Sequence, residues 1–348
     1  MTVTVTSDDD GRPLLDVLAT APHPDRFAFV TGDTGAVGWG VAARIPVGTG
    51  PDRFARARDG LRAFAGDDRL VAFASFTFDA DEDASVLVVP RTTLLRRDGV
   101  TYRITVGAGD DTTVGAPARS DDGPTVADRP RYAGSTVRDD RWLETVAATV
   151  EAIDAGRFEK VVLARDLHLW SRTPFDVDRL LVDLAARFPA CHTFRVDGLV
   201  GASPELLLAR TGTAVRSRVL AGTTGRDVDP AADDALGAAL LASAKDRHEH
   251  DLALRSAVDA LGPACAALDV PDGPSLVRLD NVQHLGSDLT GTLQASGDGP
   301  PHVLDLVGRL HPTAAVGGVP RQAALDHIRA HEGMGRGRYA GPVGWVSA

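Results

Sequence analysis

Residues 192–261 read HTFRVDGLVGASPELLLARTGTAVRSRVLAGTTGRDVDPAADDALGAALLASAKDRHEHDLALRSAVDAL. Three segments, 192–202, 205–211 and 215–220, read as strands in succession. Two apolar-periodic segments follow, at about 231–243 and 245–261, and read as helices. Strands grouped before helices, without strict βαβ alternation, indicate an α+β fold with largely antiparallel sheets.

The same grouping holds outward. Downstream, strands are expected near 275–279 and 282–293, helices near 302–310 and 319–331, and a last strand near 339–347. Upstream, residues 158–169 read as a strand and 175–188 as a helix. Trp142, Val146, Val150 and Ile153 recur at helical spacing, with Ser135 or Thr136 as the cap and Gly156 as the end. Residues 108–135 are dense in Asp, Gly, Pro, Ser and Thr and read as a surface loop or linker. From 26 to 107 the chain is strand-rich, with strands at 27–31, 70–78, 85–89 and 102–106 and one helix near 51–64. Residues 1–13 read as a frayed start. The organisation expected is a strand-rich part over 1–134 and a catalytic region over 135–348, within one structural domain.

The chain has 348 residues, 43% hydrophobic and 24% charged, which are globular values. Its net charge is −11. Nucleic-acid binding needs clustered Lys and Arg, and the sequence has no such cluster. An anionic substrate would be repelled at long range, so a site for one needs local positive charge or a metal. The two cysteines, Cys191 and Cys265, are too few for a disulfide framework and read as buried packing residues. The acidic start lacks the apolar core of a signal peptide, and no apolar run is long enough to span a membrane. A cytoplasmic protein with no membrane association is expected.

Three charged residues are candidates for chemistry. Lys160, in FEKVVLAR, shares a strand face with Phe158, Val162 and Ala164. Partial desolvation there would lower an amine's pKa and make it a general base, whereas the plain alternative is a lysine snorkelling to solvent. Glu205 follows Pro204 at the mouth of a strand. Half-buried, it would have a raised pKa and could act as an acid; the alternative is an edge carboxylate in water. KDRHEHD at 245–251 opens a helix and reads first as a solvated face. His248 and His250 are two apart and point different ways, which speaks against zinc. Glu249, directed inward, could be an oxygen ligand for Mg²⁺. The turn LAGTTGR at 220–226 and the pair Gly317-Gly318 suit either close backbone approach or a plain turn. Gly333, Gly335 and Gly337 do not have the spacing of a dinucleotide site.

Taken in order, KVVLAR at 160–165, GASPE at 201–205, LAGT at 220–223, SAKDRHEH at 243–250, VQHL at 282–285, HPT at 311–313 and YAGPVGW at 339–345 form a series. It resembles the chorismate-utilising enzymes, the family of anthranilate synthase component I, and within it the isochorismate synthases. The resemblance covers roughly 135–345. It implies an α+β four-layer sandwich of two antiparallel sheets flanked by helices, with the site between the sheets. Lys160 matches the base that activates water for attack at C2 of chorismate, and Glu205 the acid that protonates the departing C4 hydroxyl. Glu249 matches a Mg²⁺ ligand, the metal holding the ring carboxylate. Gly222 and Thr223 match the turn under the substrate and His284 a histidine near the ring. Ala315, Val316 and Tyr339 match pocket walls.

The resemblance also implies water rather than ammonia as nucleophile. Ammonia-using relatives differ at the position of Lys160, and aminodeoxychorismate synthases often carry a lysine at that of Ala221. No glutamine amidotransferase subunit is then expected, and the chain is expected to be a monomer. Isochorismate would feed menaquinone or siderophore synthesis, which the sequence does not separate. Salicylate synthase is the alternative activity. Family members continue beyond the position matched by Trp345, so the resemblance implies a C-terminally incomplete chain, without a second Mg²⁺ glutamate, a carboxylate-gripping arginine, a glycine-rich turn and a lysine near the ring carboxylate. That raises a third reading, a catalytically silent member that binds a ligand or partner.

Overall fold

Between Arg26 and Ile45 apolar side chains alternate between two faces, and this alternation sets the architecture of the first half of the molecule. Phe27 and Ala36 enter one buried cluster, Ala28 and Val37 another. The computed structural model describes residues 2–8, 11–65, 69–107, 129–295, 297 and 299–347. The chain divides into two compact units, one of Met1–Arg129, Ser171–Pro204 and Gly337–Ala348, the other of Pro130–Trp170 and Glu205–Arg336.

The first unit is built on a nine-stranded antiparallel sheet. Its main path runs Val3–Ser7, Val100–Val106, Val86–Arg97, Thr34–Ile45, Arg26–Thr31, His192–Val196 and Leu199–Ser203. Val71–Ser75 pairs with Val86–Arg97, and Val343–Ser347 pairs with Val71–Ser75. One face packs Phe27 against Phe73, ring centroids 5.7 Å apart, among Val71, Val88, Ile104 and Val196. The other carries Val30 and Leu94 against Leu14, Val17 and Leu18 of the helix Leu14–Ala19 and Leu181 of the helix Val177–Arg187. Each such buried side chain stabilises the fold by about 1.5–3 kcal/mol, so truncating Phe73 to alanine costs about 3–5 kcal/mol.

The second unit carries a five-stranded antiparallel sheet. Ala209–Thr211, Ala214–Gly225, Val282–Leu293 and Cys265–Asp269 are neighbours in that order, and Ser275–Arg278 also pairs with Val282–Leu293. Asp229 caps the helix Pro230–Ala242, whose proline sits in its first turn, and Ser243 caps the helix Ala244–Leu261 through Asp246 N–H. Ala253, Ala257 and Leu261 of the latter pack on Val219, Ala221 and Leu289 of the sheet and on Leu310 and Ala314. The helices Val303–Leu310, Arg321–His331 and Asp139–Asp154 complete the unit. The protein is thus a mixed α+β chain of antiparallel sheets and helices.

Several expectations are corrected. Within the start expected to be frayed, Val3–Ser7 is a strand and pairs along its whole length with Val100–Val106. The twelve-residue strand Thr34–Ile45 was not expected, because glycines and alanines dilute its alternation. Cys265–Asp269 is a strand, too short and mixed to stand out. The helix expected after Ser135 or Thr136 starts at Asp139 with Arg138 at its cap position. Ser135 Oγ instead donates to Val137 O, and Thr136 engages Asp166. His192–Val196 joins the first sheet through the pairs Thr193↔Val30 and Arg195↔Ala28, which local pattern cannot foresee, so the compact units are not consecutive stretches of chain. The loop expected at 108–135 falls outside the described residues over 108–128, and Arg131–Gly134 is a strand. Both cysteines are buried, and burial raises the pKa of each thiol. Among the described residues no helix is long and apolar enough to cross a membrane.

Candidate active site

Lys160 begins the short strand Lys160–Val161, which pairs antiparallel with Gly318–Val319. The approach is close: a Cβ on Gly318 would lie 2.1 Å from the Lys160 carbonyl oxygen and 2.6 Å from Ala324 Cβ, so only glycine fits. Glu159 N–H donates to Val319 O and Val162 N–H to Gly317 O, each at 2.8 Å. The strand expected over 158–169 is broken into Lys160–Val161 and His168–Trp170, because side chains rather than a strand bind the Val162 carbonyl and the Ala164 N–H. Lys160 is 8% exposed, so it does not reach into solvent. Its Nζ donates to Glu249 Oε1 at 3.1 Å. Of the 37 lysines and arginines in the sequence only Lys160 and Lys245 are lysines. This position therefore keeps an amine, which unlike a guanidinium can act as a proton acceptor once deprotonated.

Glu205 lies in an irregular stretch between Leu199–Ser203 and Ala209–Thr211. The strand expected over 205–211 is shortened, since Pro204 has no N–H and Ser217 Oγ donates to Leu207 O at 2.8 Å. Part of the Glu205 surface stays open, yet its carboxyl is set deep in protein. Desolvation lifts its pKa from the ordinary 4.5 to about 7, against the downward pull of the Lys160 charge. Glu205 is thus a carboxyl poised between acid and base forms near neutral pH, within electrostatic reach of a buried amine.

Glu249 projects from the helix Ala244–Leu261 with 39% of its side chain exposed. Its neighbour His250 is fully buried, with Nδ1 3.3 Å from Ala221 O and Nε2 2.8 Å from Ser287 Oγ. Burial lowers its pKa. His250 thereby pins the helix turn bearing Glu249 to two strands, a role sequence reading missed because it weighed the residue only as a metal ligand.

Gly222 has φ +79° and is the extra residue of a bulge: Ala221 pairs with Leu285 and Thr223 with His284. A Cβ there would lie 3.2 Å from Asp246 Cβ and Leu285 Cδ1. Across the bulge Thr223 Oγ1 and His284 Nδ1 are 2.8 Å apart. Burial lowers the His284 pKa, and a backbone hydrogen bond with Gly222 acts the other way. Ala315 and Val316 sit in the turn closed by Gly317 N–H on Thr313 O at 2.9 Å, directly before the residues that pair with Lys160. Eight of the nine expected residues therefore lie in the second unit. Tyr339 belongs to the first unit and is 62% exposed. A groove of about 470 Å³ in the second unit is lined by Glu159, Arg255, Asp259, Arg309 and Arg321 among others. Lys160, Glu205 and Glu249 are not among its lining residues.

Among the described residues no three His, Cys, Asp or Glu side chains cluster to hold a metal by themselves. Mg²⁺ commonly takes one or two protein carboxylates and completes its shell with water and substrate oxygens. A single half-exposed carboxylate at Glu249 fits an ion shared with a substrate, not a closed cage.

An α+β protein with an amine, a carboxyl of raised pKa and a second carboxylate gathered on one unit has the makings of an acid–base enzyme. The chain belongs to the chorismate-binding enzyme family, whose model matches residues 31–348. It is similar to the salicylate biosynthesis isochorismate synthase of Pseudomonas aeruginosa, 37% identical over 352 residues that span 88% of this chain and 70% of that protein. It is also similar to the isochorismate synthase DhbC of Bacillus subtilis, 41% identical over 201 residues, 55% of this chain and 50% of that protein. Its fold matches the solved structure of MenF, the menaquinone-specific isochorismate synthase of Escherichia coli, with TM-score 0.83 and 25% identity, covering 99% of this chain and 82% of that one. The Bacillus alignment thus spans about half the length of its relative.

Proposed function

We propose that this chain converts chorismate to isochorismate. In this reading Lys160 takes a proton from water as the water oxygen bonds to C2 of the ring. Glu205 delivers its proton to the C4 hydroxyl, which departs as water while the ring double bonds shift. Atoms balance, since one water enters and one leaves. A base and an acid are both needed near neutral pH. The observation that carries the reading is the buried Lys160 amine within reach of Glu205, whose carboxyl titrates at about 7. The named activity of similar proteins supports it.

Glu249 would hold Mg²⁺, which when bound offsets the charge of a dianionic substrate and fixes its orientation. Gly222 and Thr223 would lie under the substrate, His284 near its ring, and Ala315 and Val316 along its walls. The protein's charge of −11 makes such local compensation necessary.

The test is incubation of purified protein with chorismate and Mg²⁺, with products separated by chromatography and pyruvate assayed by coupled reduction. Isochorismate without pyruvate is expected. Stoichiometric pyruvate with salicylate would replace the reading by salicylate synthase. No product from folded protein would leave the catalytically silent reading.

A further inference from the structure

We infer that Glu332 and Arg336 are a positioning pair that locks the main chain carrying Lys160 to the turn carrying Val316. Glu332 is 2% and Arg336 8% exposed. Arg336 Nε donates to Glu332 Oε1 at 2.6 Å and Nη2 to Oε2 at 2.5 Å, a bidentate pair across the irregular segment that follows the helix Arg321–His331. The pair reaches three backbone groups. Arg336 Nη2 donates to Val162 O at 2.7 Å, and Ala164 N–H donates to Glu332 Oε2 at 2.9 Å. Arg336 Nη1 donates to Val316 O at 2.9 Å. One guanidinium therefore holds the segment two residues past Lys160 and, at the same time, the turn next to Gly318–Val319.

This arrangement answers a need that the strand ladder leaves open. Lys160 is tied on one side by its pairing with Val319, but that ladder is only two residues long. Beyond it one further backbone bond, Val162 N–H to Gly317 O, follows, and residues 162–167 form no strand. Without the clamp the Lys160 segment could shift along its axis. Buried ion pairs are poor stabilisers compared with apolar replacements of equal volume. What this one supplies is geometry, since the planar five-donor fork of arginine can bind a carboxylate and two carbonyls at once and lysine cannot. A displacement of about 1 Å at a reacting group can cost a hundredfold in rate. The inference rests on Lys160 being the base, and the residues act through it without touching substrate.

The test uses the full chain with Arg336→Lys and, in case that variant does not fold, the charge-free double variant Glu332→Gln/Arg336→Met. Two readouts are taken on protein whose circular dichroism and cooperative melting match the parent. In the first, kcat for chorismate is expected to fall about tenfold to a hundredfold with KM little changed. The second needs no turnover. Lys160 and the exposed Lys245 are the only lysines, so brief acetylation at pH 7 read by peptide mass spectrometry gives their labelling ratio within one molecule. Lys160 is expected to label several-fold faster relative to Lys245 in the variants. Folded variants with the parent's labelling ratio overturn the inference, whatever their kcat. If the parent itself does not turn over chorismate, the functional reading falls, and the labelling ratio alone still decides whether the pair positions Lys160.

Discussion

Lys160 Nζ lies 3.1 Å from Glu249 Oε1, and a tenth of the lysine side chain is exposed against 39% of the glutamate's. The pair is therefore asymmetric. The amine is held inside, and the carboxylate is partly open to solvent. Each partner can be removed separately, and the two removals have different consequences.

Lys160→Met and Lys160→Arg should both abolish isochorismate formation, by at least about a hundredfold. Arginine keeps the charge and can still pair with Glu249, but it cannot give up its proton. Product assays on the two purified variants test this. An active Lys160→Arg enzyme would remove Lys160 from the role of base.

Glu249→Gln leaves Lys160 buried without its carboxylate partner and removes the ionised oxygen available to a cation. The Mg²⁺ concentration giving half-maximal activity should rise by about tenfold or more, since lesser changes around metal ligands cost that much. Titrating activity with Mg²⁺ after chelation and dialysis reads the shift. An unchanged Mg²⁺ requirement would place the metal elsewhere.

Glu205 must be protonated to act as an acid, and its pKa lies at about 7. The ratio kcat/KM should therefore fall above pH 7, approaching tenfold per unit. A pH profile between 5 and 9 at fixed ionic strength measures this limb, and Glu205→Gln should be inactive throughout. A profile flat to pH 9 would contradict the acid role.

The same titration predicts a stability change of the same sense in the parent. The folded-state pKa of Glu205 is raised above its ordinary 4.5, so folding favours the neutral form. Its contribution is fully present below about 4.5 and is lost as pH rises through about 7. Glu205→Gln, neutral at every pH, should gain stability over the parent as pH goes from 5 to 8. The gain is on the order of 1–3 kcal/mol, discounted for the partial exposure of the residue. Denaturant midpoints at the two pH values test it, and an equal difference at both would show that burial does not disfavour the charge.

Gly318→Ala puts a methyl group within 2.1 Å of the Lys160 carbonyl oxygen. The short ladder must open, so turnover should drop sharply and the melting temperature should fall. A variant with parental activity would mean the ladder does not set the position of Lys160.

The α+β class was legible because strands and helices in 192–261 are grouped, and most of those elements form near the expected positions. Lys160, Glu205 and Glu249 were singled out by resemblance, since each one alone is well explained as an ordinary surface charge. Other features escaped for physical reasons. Thr34–Ile45 lacks a clean alternation, and Val3–Ser7 becomes a strand only because Val100–Val106 offers it a partner. The break in the strand after Val161 comes from Glu332 and Arg336, more than 160 residues away in sequence. Their spacing of four was visible in HEGMGR, but that segment was read only for its glycines. His250 was overlooked for a similar reason, as its partners Ala221 and Ser287 lie on other elements.

The single inserted glycine at 222 gives its strand a bend that a flush ladder lacks. With it, Thr223 stands opposite His284 and their side chains meet. Deleting that one residue would place Thr223 directly after Ala221, still opposite His284 and on the same face, and the two strands would run flush. What would go is the kink and the added twist of the bulge. A one-codon loss here therefore isolates the effect of strand curvature while leaving the threonine–histidine pairing in register.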